Sequence, residues 1–254
     1  MGYSFRLLET GLGRASFNMG LDEAILGSVA TGRSLPTLRL YGWKPSAISL
    51  GFFQGALDEV DIEACASEGV DIVRRITGGG AVFHDDEVTY SIVIPEGHTL
   101  APSSILESYS LICSGIIRGL ESLGLRPEFA PINDILCGGR KISGNAQTRR
   151  STCLLQHGTI LLKVDVERMF SLLKVPKEKA LGRQISDAKA RVTSLETALG
   201  REIGYEEASV ALAGGFATAL DLDLVPGLPT ADELAQAEML VADKFSTDEW
   251  TFRR

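Results

Sequence analysis

The sequence predicts an α+β fold in which helices flank a mixed sheet, and three observations carry that expectation. Strand and helix patterns are interspersed without strict order through the first two thirds of the chain. From Asp165 onward the pattern turns mostly helical. The chain, at 254 residues, is long enough to bury a sizeable core; a prior of about 150 residues per domain allows one large domain or two small ones.

Taken in order, residues 16–29 place Phe17, Leu21, Ala24, Ile25 and Val29 at helical spacing, with Ser16 as N-cap. Residues 37–41 and 47–51 read as short strands on either side of a turn at Pro45. Residues 58–68 read as a helix, 70–75 as a strand, and 88–94, rich in β-branched residues, as another strand. The longest amphipathic pattern is 103–123, with Ile105, Tyr109, Ile112, Ile116 and Leu120 on one stripe. A strand at 134–137, a polar basic stretch at 138–150 and a strand ending at 159–162 follow. Thr193-Ser-Leu-Glu196 matches a capping box with Gly200 as the stop. Helices at 206–220 and 231–245, separated by a loop with Pro226 and Pro229, complete the series.

Composition narrows the function. With 44% hydrophobic and 23% charged residues and a mean hydropathy of +0.11, this is an ordinary globular chain and not a disordered one. A net charge of −8 and a pI near 5.0 argue against nucleic acid or an anionic membrane as partner. Four cysteines without a C-x-x-C pair indicate neither a zinc site nor a disulfide framework. Arg6 and Glu9 break any signal-like run, and nothing reaches the roughly 20 apolar residues of a membrane span. A cytoplasmic protein is expected.

Two segments carry chemistry. In Val73-Arg-Arg-Ile-Thr-Gly-Gly-Gly-Ala-Val-Phe-His84, three consecutive glycines follow a predicted strand that they do nothing to stabilise. They allow close backbone approach to a ligand, with N–H donors beside the guanidiniums of Arg74 and Arg75, an arrangement suited to phosphate. The spacing is neither a Walker A loop nor a dinucleotide fingerprint, and a plain flexible turn is the simpler alternative. In Asn133-Asp-Ile-Leu-Cys-Gly-Gly-Arg-Lys-Ile-Ser-Gly-Asn-Ala-Gln147, the small residues Ser143, Gly144 and Ala146 keep space open beside Lys141, a cation able to neutralise a phosphate or a developing oxyanion. Residues 138–150 hold Arg140, Lys141, Arg149 and Arg150 and no acid, a local positive patch on an acidic chain. Asn18 and Asp22 lie four apart on one helix face, which alone is an ordinary amphipathic pattern.

Together with Phe17-Asn-Met-Gly-Leu-Asp-Glu-Ala24, Leu38-Arg-Leu-Tyr-Gly-Trp43, Ser49-Leu-Gly-Phe-Phe-Gln54 and His157-Gly-Thr-Ile-Leu161, these segments resemble the lipoate-protein ligase A family, within the group of biotin and lipoate ligases and lipoyl or octanoyl transferases. The resemblance runs from about Phe5 to Trp250. It implies the biotin/lipoate ligase fold, related to class II aminoacyl-tRNA synthetases. For a ligase it implies attack of the lipoate carboxylate on ATP, with Mg²⁺, to give lipoyl-AMP, and transfer of the lipoyl group to a lysine of an acceptor. By that likeness Arg75 and the backbone of Gly78, Gly79, Gly80, Ala81, Val82 and Phe83, with His84 and His157 as orienting groups, hold the nucleotide. Ser143, Gly144 and Ala146 line the site, Lys141 is the catalytic cation, and Asp134 anchors either Lys141 or Mg²⁺. An apolar tunnel for the acyl chain is placed near Phe17, Leu21, Phe52 and residues 144–146. The acceptors implied are lipoyl domains of 2-oxoacid dehydrogenase E2 components, the glycine-cleavage H protein or related carriers.

The competing reading is an octanoyl or lipoyl transferase that moves the acyl group between carrier proteins through a cysteine thioester. In the transferase branch that this outline resembles, the cysteine lies in a loop just before the strand leading to the lysine. Here residues 124–135 contain none. Another branch places it after the His-Gly strand, and none occurs from His157 to Arg254. The expectation is therefore an ATP-dependent lipoate ligase. Because the last landmark is Trp250, it is also expected to be a single catalytic domain, 1–254, without the C-terminal accessory domain and completed by a separate accessory protein.

Overall fold

The computed structural model describes residues 2–174 and 189–253. Eleven strands form two sheets. The larger has eight strands in the order β11-β1-β2-β6-β10-β9-β8-β7, and the smaller is β4-β3-β5. In chain order the strands are β1 (Tyr3–Gly13), β2 (Thr37–Trp43), β3 (Ala47–Leu50), β4 (Asp71–Arg74), β5 (Val82–His84), β6 (Glu87–Pro95), β7 (Pro127–Ala130), β8 (Asp134–Cys137), β9 (Arg140–Arg150), β10 (Cys153–Leu161) and β11 (Leu222–Gly227). Strands β11, β1 and β2 run parallel and the rest of the large sheet antiparallel, so the sheet is mixed, as expected.

Period-two alternation sorts the side chains of the central strands. In β2 and β6, Leu38, Leu40, Val88, Tyr90, Ile92 and Ile94 face one layer, which holds α4 (Ile105–Ser122) and the helix Tyr205–Leu220. On the opposite face Tyr41, Trp43, Val93 and Leu155 pack against α1 (Ala15–Ala30), where Leu21, Ile25 and Val29 are buried, and against the C-terminal helix Ala231–Leu240. Polar Arg39, Thr89, Ser91 and His157 share that second face, so a polar seam runs beneath α1. The small sheet closes over a third cluster with the short helices α2 (Ala56–Glu59), α3 (Ile62–Glu68) and α5 (Val166–Leu172).

Several boundaries differ from the sequence expectation, each for a physical reason. Helix α1 starts one residue early, with Arg14 at the cap, so Ser16 lies inside its first turn. The helix expected at 58–68 is two pieces, because Val60 and Asp61 turn extended and Asp61 caps the second by accepting from Ala64 N. On α4 the stripe holds for Tyr109, Ile112, Ile116 and Leu120, while Ile105 is exposed. The predicted capping box at Thr193 shifts by one: Ser194 caps α6 (Leu195–Leu199), and Gly200 ends it at φ 68°. The helix expected at 231–245 ends at Leu240 and continues as a π-helical turn, Val241–Phe245, followed by Asp248–Thr251. Part of the helical pattern expected after Asp165, residues 175–188, lies outside the described residues.

Candidate active site

A cleft of about 340 Å³ opens between the glycine segment of the small sheet and the start of β9. Its floor includes Met19, Tyr41 and Trp43, and its mouth includes Met169, Leu173 and Val192. Most of the predicted site residues line it: Arg75, Gly79, Gly80, Ala81, Val82, Phe83, His84, Lys141, Ser143, Gly144, Ala146 and His157. Gly78 and Asp134 join through partners on the wall, as described next. Phe17, Leu21 and Phe52, expected along an acyl tunnel, are not among the lining residues; Leu21 is fully buried in the core behind.

Lys141 is placed by an irregular piece of sheet. Strand β9 pairs with β10 only from Ser143 onward, and a register shift interrupts its pairing with β8 between Ile135 and Leu136. At Lys141 the neighbour is Val192, joined by a parallel bridge and by Thr193 N donating to Lys141 O at 2.8 Å. The side chain extends to Asp134, with Nζ to Oδ1 at 2.7 Å, in a pair that is 43% and 32% exposed. A Cβ at Gly144 would sit 2.9 Å from Lys141 Cε and Nζ, so the residue must be glycine for the lysine to lie there. Beside it Asn145 and Asn133 exchange hydrogen bonds, Asn145 Nδ2 donating to Asn133 O at 2.9 Å and Asn133 Nδ2 to Asn145 O at 2.5 Å. Tyr90 Oη locks Asn145 from below at 2.8 Å.

The opposite wall is the glycine segment. Arg75, 4% exposed, spends all five of its N–H donors internally. Nε donates to Thr77 Oγ1, Nη1 to Ser49 O and Oγ, and Nη2 to Gly78 O and Gly80 O, at 2.7 to 3.1 Å. Burial pushes its pKa down to about 10, partly offset by Tyr109, which leaves it charged at neutral pH. The guanidinium thus turns the loop carbonyls inward, and among the described residues no acceptor meets the N–H groups of Gly78, Gly79 and Gly80. Gly51 permits the approach: a Cβ there would lie 2.0 Å from Gly79 O. Arg74, expected to face a phosphate, points away; it donates to Gly51 O, Gln54 O and Thr251 O, tying the loop to the C-terminal segment.

Sequence reasoning missed how these groups are joined. Ser49 Oγ lies 2.7 Å from His84 Nε2, His84 Nδ1 lies 2.7 Å from Glu87 Oε1, and the imidazole stacks on Trp43. On the other side Thr77 Oγ1 is 2.7 Å from His157 Nε2, and His157 Nδ1 is 3.4 Å from Asp22 Oδ2. Asp22 also accepts from Arg39, Tyr41 and Ser91. Burial opposes ionisation of Asp22, yet Arg39, His157 and Ser91 together hold it below the usual carboxylate range. Burial lowers His157 against the pull of Asp22. Both histidines therefore orient the wall. The signal for this network was the Asn18/Asp22 spacing together with Arg39, Ser91 and His157 on one face of the sheet; those partners are too distant in sequence to be paired by pattern.

The positive patch expected at 138–150 is mostly spent. The stretch is the long strand β9; Lys141 pairs with Asp134, Arg149 donates to Pro102 O, and Arg150 lies over the ring of Phe52.

A lysine held beside a carboxylate thus faces a glycine loop across a partly apolar cleft, an arrangement able to stabilise developing negative charge. The chain belongs to the lipoyl protein ligase A/B catalytic domain family, whose model matches residues 14–217. It is 41% identical to the octanoyltransferase LipM of Kyrpidia tusciae and 33% identical to that of Bacillus subtilis, each match spanning 99% of both chains. Among solved structures, the bipartite lipoate-protein ligase of Thermoplasma acidophilum superposes with a TM-score of 0.88 at 30% identity, covering 99% of this chain and 96% of that one. A lipoate-protein ligase A bound with ATP superposes at 0.83 with 29% identity, covering 99% of each. The lipoate ligase fold expected from the sequence is the one observed.

The relatives overturn the expected activity. The near-full-length matches at 41% and 33% identity are octanoyltransferases, against the expectation of an ATP-dependent lipoate ligase. That expectation turned on two empty cysteine positions. A nucleophile bears on the route the acyl group takes, whereas the choice between carboxylate with ATP and a ready-made thioester is a choice of donor. An absent cysteine does not decide the donor. Among the described residues no helix is long and apolar enough to cross a membrane.

Proposed function

We propose that this protein is an acyltransferase that moves an octanoyl group from the thioester of a donor carrier protein to the lysine amine of a lipoyl-domain acceptor. The observation that carries the reading is the end-to-end similarity to octanoyltransferases at 41% identity. The cleft geometry supports it. A thioester is already activated, so the site has to supply charge stabilisation and not adenylation. ATP, Mg²⁺ and lipoyl-AMP, which belonged to the ligase expectation, have no part in this reaction. Lys141, held by Asp134 at 2.7 Å, offers a cation to the oxygen that becomes negative as the carbonyl is attacked. Gly79 and Gly80 line the same space from the opposite wall, and the missing side chain at Gly144 leaves room for the end of Lys141. Trp43, Ala81 and Phe83 provide apolar surface for the alkyl chain. The E2 lipoyl domain and the glycine-cleavage H protein are the acceptors this chemistry fits.

The test is incubation with an octanoyl-loaded carrier protein and an apo lipoyl domain, without nucleotide. The acceptor is expected to gain the mass of one octanoyl group. Acylation only from free octanoate or lipoate with added ATP would sink the proposal.

A further inference from the structure

We infer that the hydroxyl of Thr159 is a second catalytic donor, which shares with Lys141 the negative charge that gathers on the acyl carbonyl oxygen. The inference rests on the transferase reading above and adds a residue to its site.

One row of the large sheet crosses the cleft directly beneath the lysine. Tyr41 of β2 pairs with Thr89 of β6, Thr89 with Thr159 of β10, Thr159 with Gly144 of β9, and Gly144 with Asp134 of β8. Directly opposed residues project from one face of a sheet, and Tyr41, Thr89, Thr159 and Gly144 all line the cleft. The ammonium of Lys141 lies over this row: Nζ is 2.9 Å from the point that a Cβ on Gly144 would occupy, and 2.7 Å from Asp134 Oδ1. Opposed Cβ positions are about 4.5–5.5 Å apart. The Thr159 side chain therefore stands beside the ammonium, with no side chain on Gly144 to separate them.

The other polar groups of the row are committed. Tyr41 Oη donates to Asp22, Thr89 Oγ1 accepts from Trp43 and donates to Glu87, and Asp134 holds Lys141. Thr159 is half-buried, and among the described residues its Oγ1 meets no hydrogen-bond partner. A hydroxyl left open between engaged neighbours has its donor to give to whatever enters the cleft. Two further groups on the lining are less well placed. Ser143 is 1% exposed and its Oγ accepts from Asn145 Nδ2 at 3.4 Å, and Lys163 stands past the end of β10, where its charge acts on Asp86.

Every attack on the acyl carbon calls for such a donor. The nucleophile bonds to the carbon, the carbonyl electron pair moves onto oxygen, and that oxygen accepts from Lys141 N–H and Thr159 O–H together. Collapse returns the pair and breaks the C–S bond; sulfur leaves with its electrons and takes up the proton that the nucleophile releases. Thr159 keeps its own proton throughout, so it adds nothing to the balance. The lysine supplies charge, whereas the threonine, held in regular sheet, supplies a fixed direction.

The test uses the full chain, an octanoyl-loaded carrier and an apo lipoyl domain, read as the single-turnover rate and as KM for each carrier. Thr159→Val keeps the β-branched shape and removes the hydroxyl. Its transfer rate is expected to fall about 10²-fold, with both KM values within about twofold of the parent and the urea midpoint unchanged. Thr159→Ser should recover the rate to within about fivefold of the parent. Thr159→Ala, read against Thr159→Ser, repeats the comparison without a branched side chain. A full rate in Thr159→Val overturns the inference, and so does a Thr159→Ser variant as slow as Thr159→Val, which would make the methyl group the part that matters. A raised KM at an unchanged rate also overturns it, because the hydroxyl would then serve binding alone. A wild-type protein that transfers nothing from the thioester donor removes the transferase reading, and the inference with it.

Discussion

The two walls of the cleft are built on opposite terms. Behind the glycine wall the side chains are buried and their donors satisfied: Arg75 uses every donor on its own loop and neighbouring strand, and His84 and His157 are each held at both ring nitrogens. The lysine wall rests on one ion pair that is 43% and 32% exposed, on a strand whose pairing is interrupted where the lysine projects. The first wall fixes a shape before any substrate arrives. The second keeps a charge whose field strengthens when a bound carrier excludes water from it. Preorganisation and responsiveness are thus divided between two strips of backbone.

That contrast can be broken from the buried side first. Asp22→Ala leaves Arg39 buried without its carboxylate, and breaking such a pair costs about 3–5 kcal/mol. Urea unfolding should show the loss, together with disorder at His157; a variant as stable as the parent would mean that the seam beneath α1 does not support the wall. Next comes Lys141→Ala, which removes the cation from a half-exposed position. Octanoyl transfer should fall by roughly 10²–10³-fold, with the unfolding midpoint unchanged. Retained transfer would remove Lys141 from the catalytic role.

Gly51→Ala forces a methyl group into Gly79 O and should cost about 1–3 kcal/mol through overpacking. It should also lower transfer by displacing the loop amides, so a destabilised variant with full transfer would show that those amides do no chemistry. Stability should also fall in acid. His157 takes a proton in the folded state only below its ordinary value of 6.5, whereas the unfolded chain takes one at that value. Stability is therefore complete above pH 6.5 and declines as the pH falls toward the folded value. The stabilising charge of Asp22, whose folded value is also lowered, is lost at more acidic pH still. A flat urea midpoint between pH 7 and pH 5 would contradict the assignment of a buried, neutral His157. The smallest effect is expected from Asp134→Asn: less than about 1 kcal/mol of stability, because the pair is solvent-screened. Its signature should be a lowered kcat from a less well aimed Lys141, and an unchanged kcat would make the pair incidental.

The legible parts of this molecule were those written in contiguous residues. The glycine run, Lys141 with its small neighbours, the amphipathic stripe of α4 and the mixed α+β order all emerged from local pattern. Strand β1 and strand β11 escaped. They pair in parallel across most of the chain, Tyr3 with Leu222, and Pro226 within β11 reads as a loop until its place at the sheet edge is known. The arginines of the glycine segment were recognised as important but aimed wrongly. Their acceptors are backbone carbonyls at Ser49, Gly51 and Thr251, and a main-chain oxygen leaves no mark in a sequence. The activity was misjudged for a related reason, since a pattern of residues reports the equipment of a site more directly than the form in which its substrate is delivered.

The tie between Arg74 and the residues near 250 bears on how the protein is made. Arg74 donates to Thr251 O, and Trp250 Nε1 returns a bond to Arg74 O. While the chain is being synthesised, the glycine segment leaves the ribosome long before those partners do, so domains that fold as units must wait for them. The two cores of the large sheet, which draw on Leu222 and on Phe245, should close only shortly before the cleft wall does. Stalled chains ending before Trp250 should be compact but unable to transfer an acyl group, which gives the cell an interval in which a nearly folded enzyme is still inert.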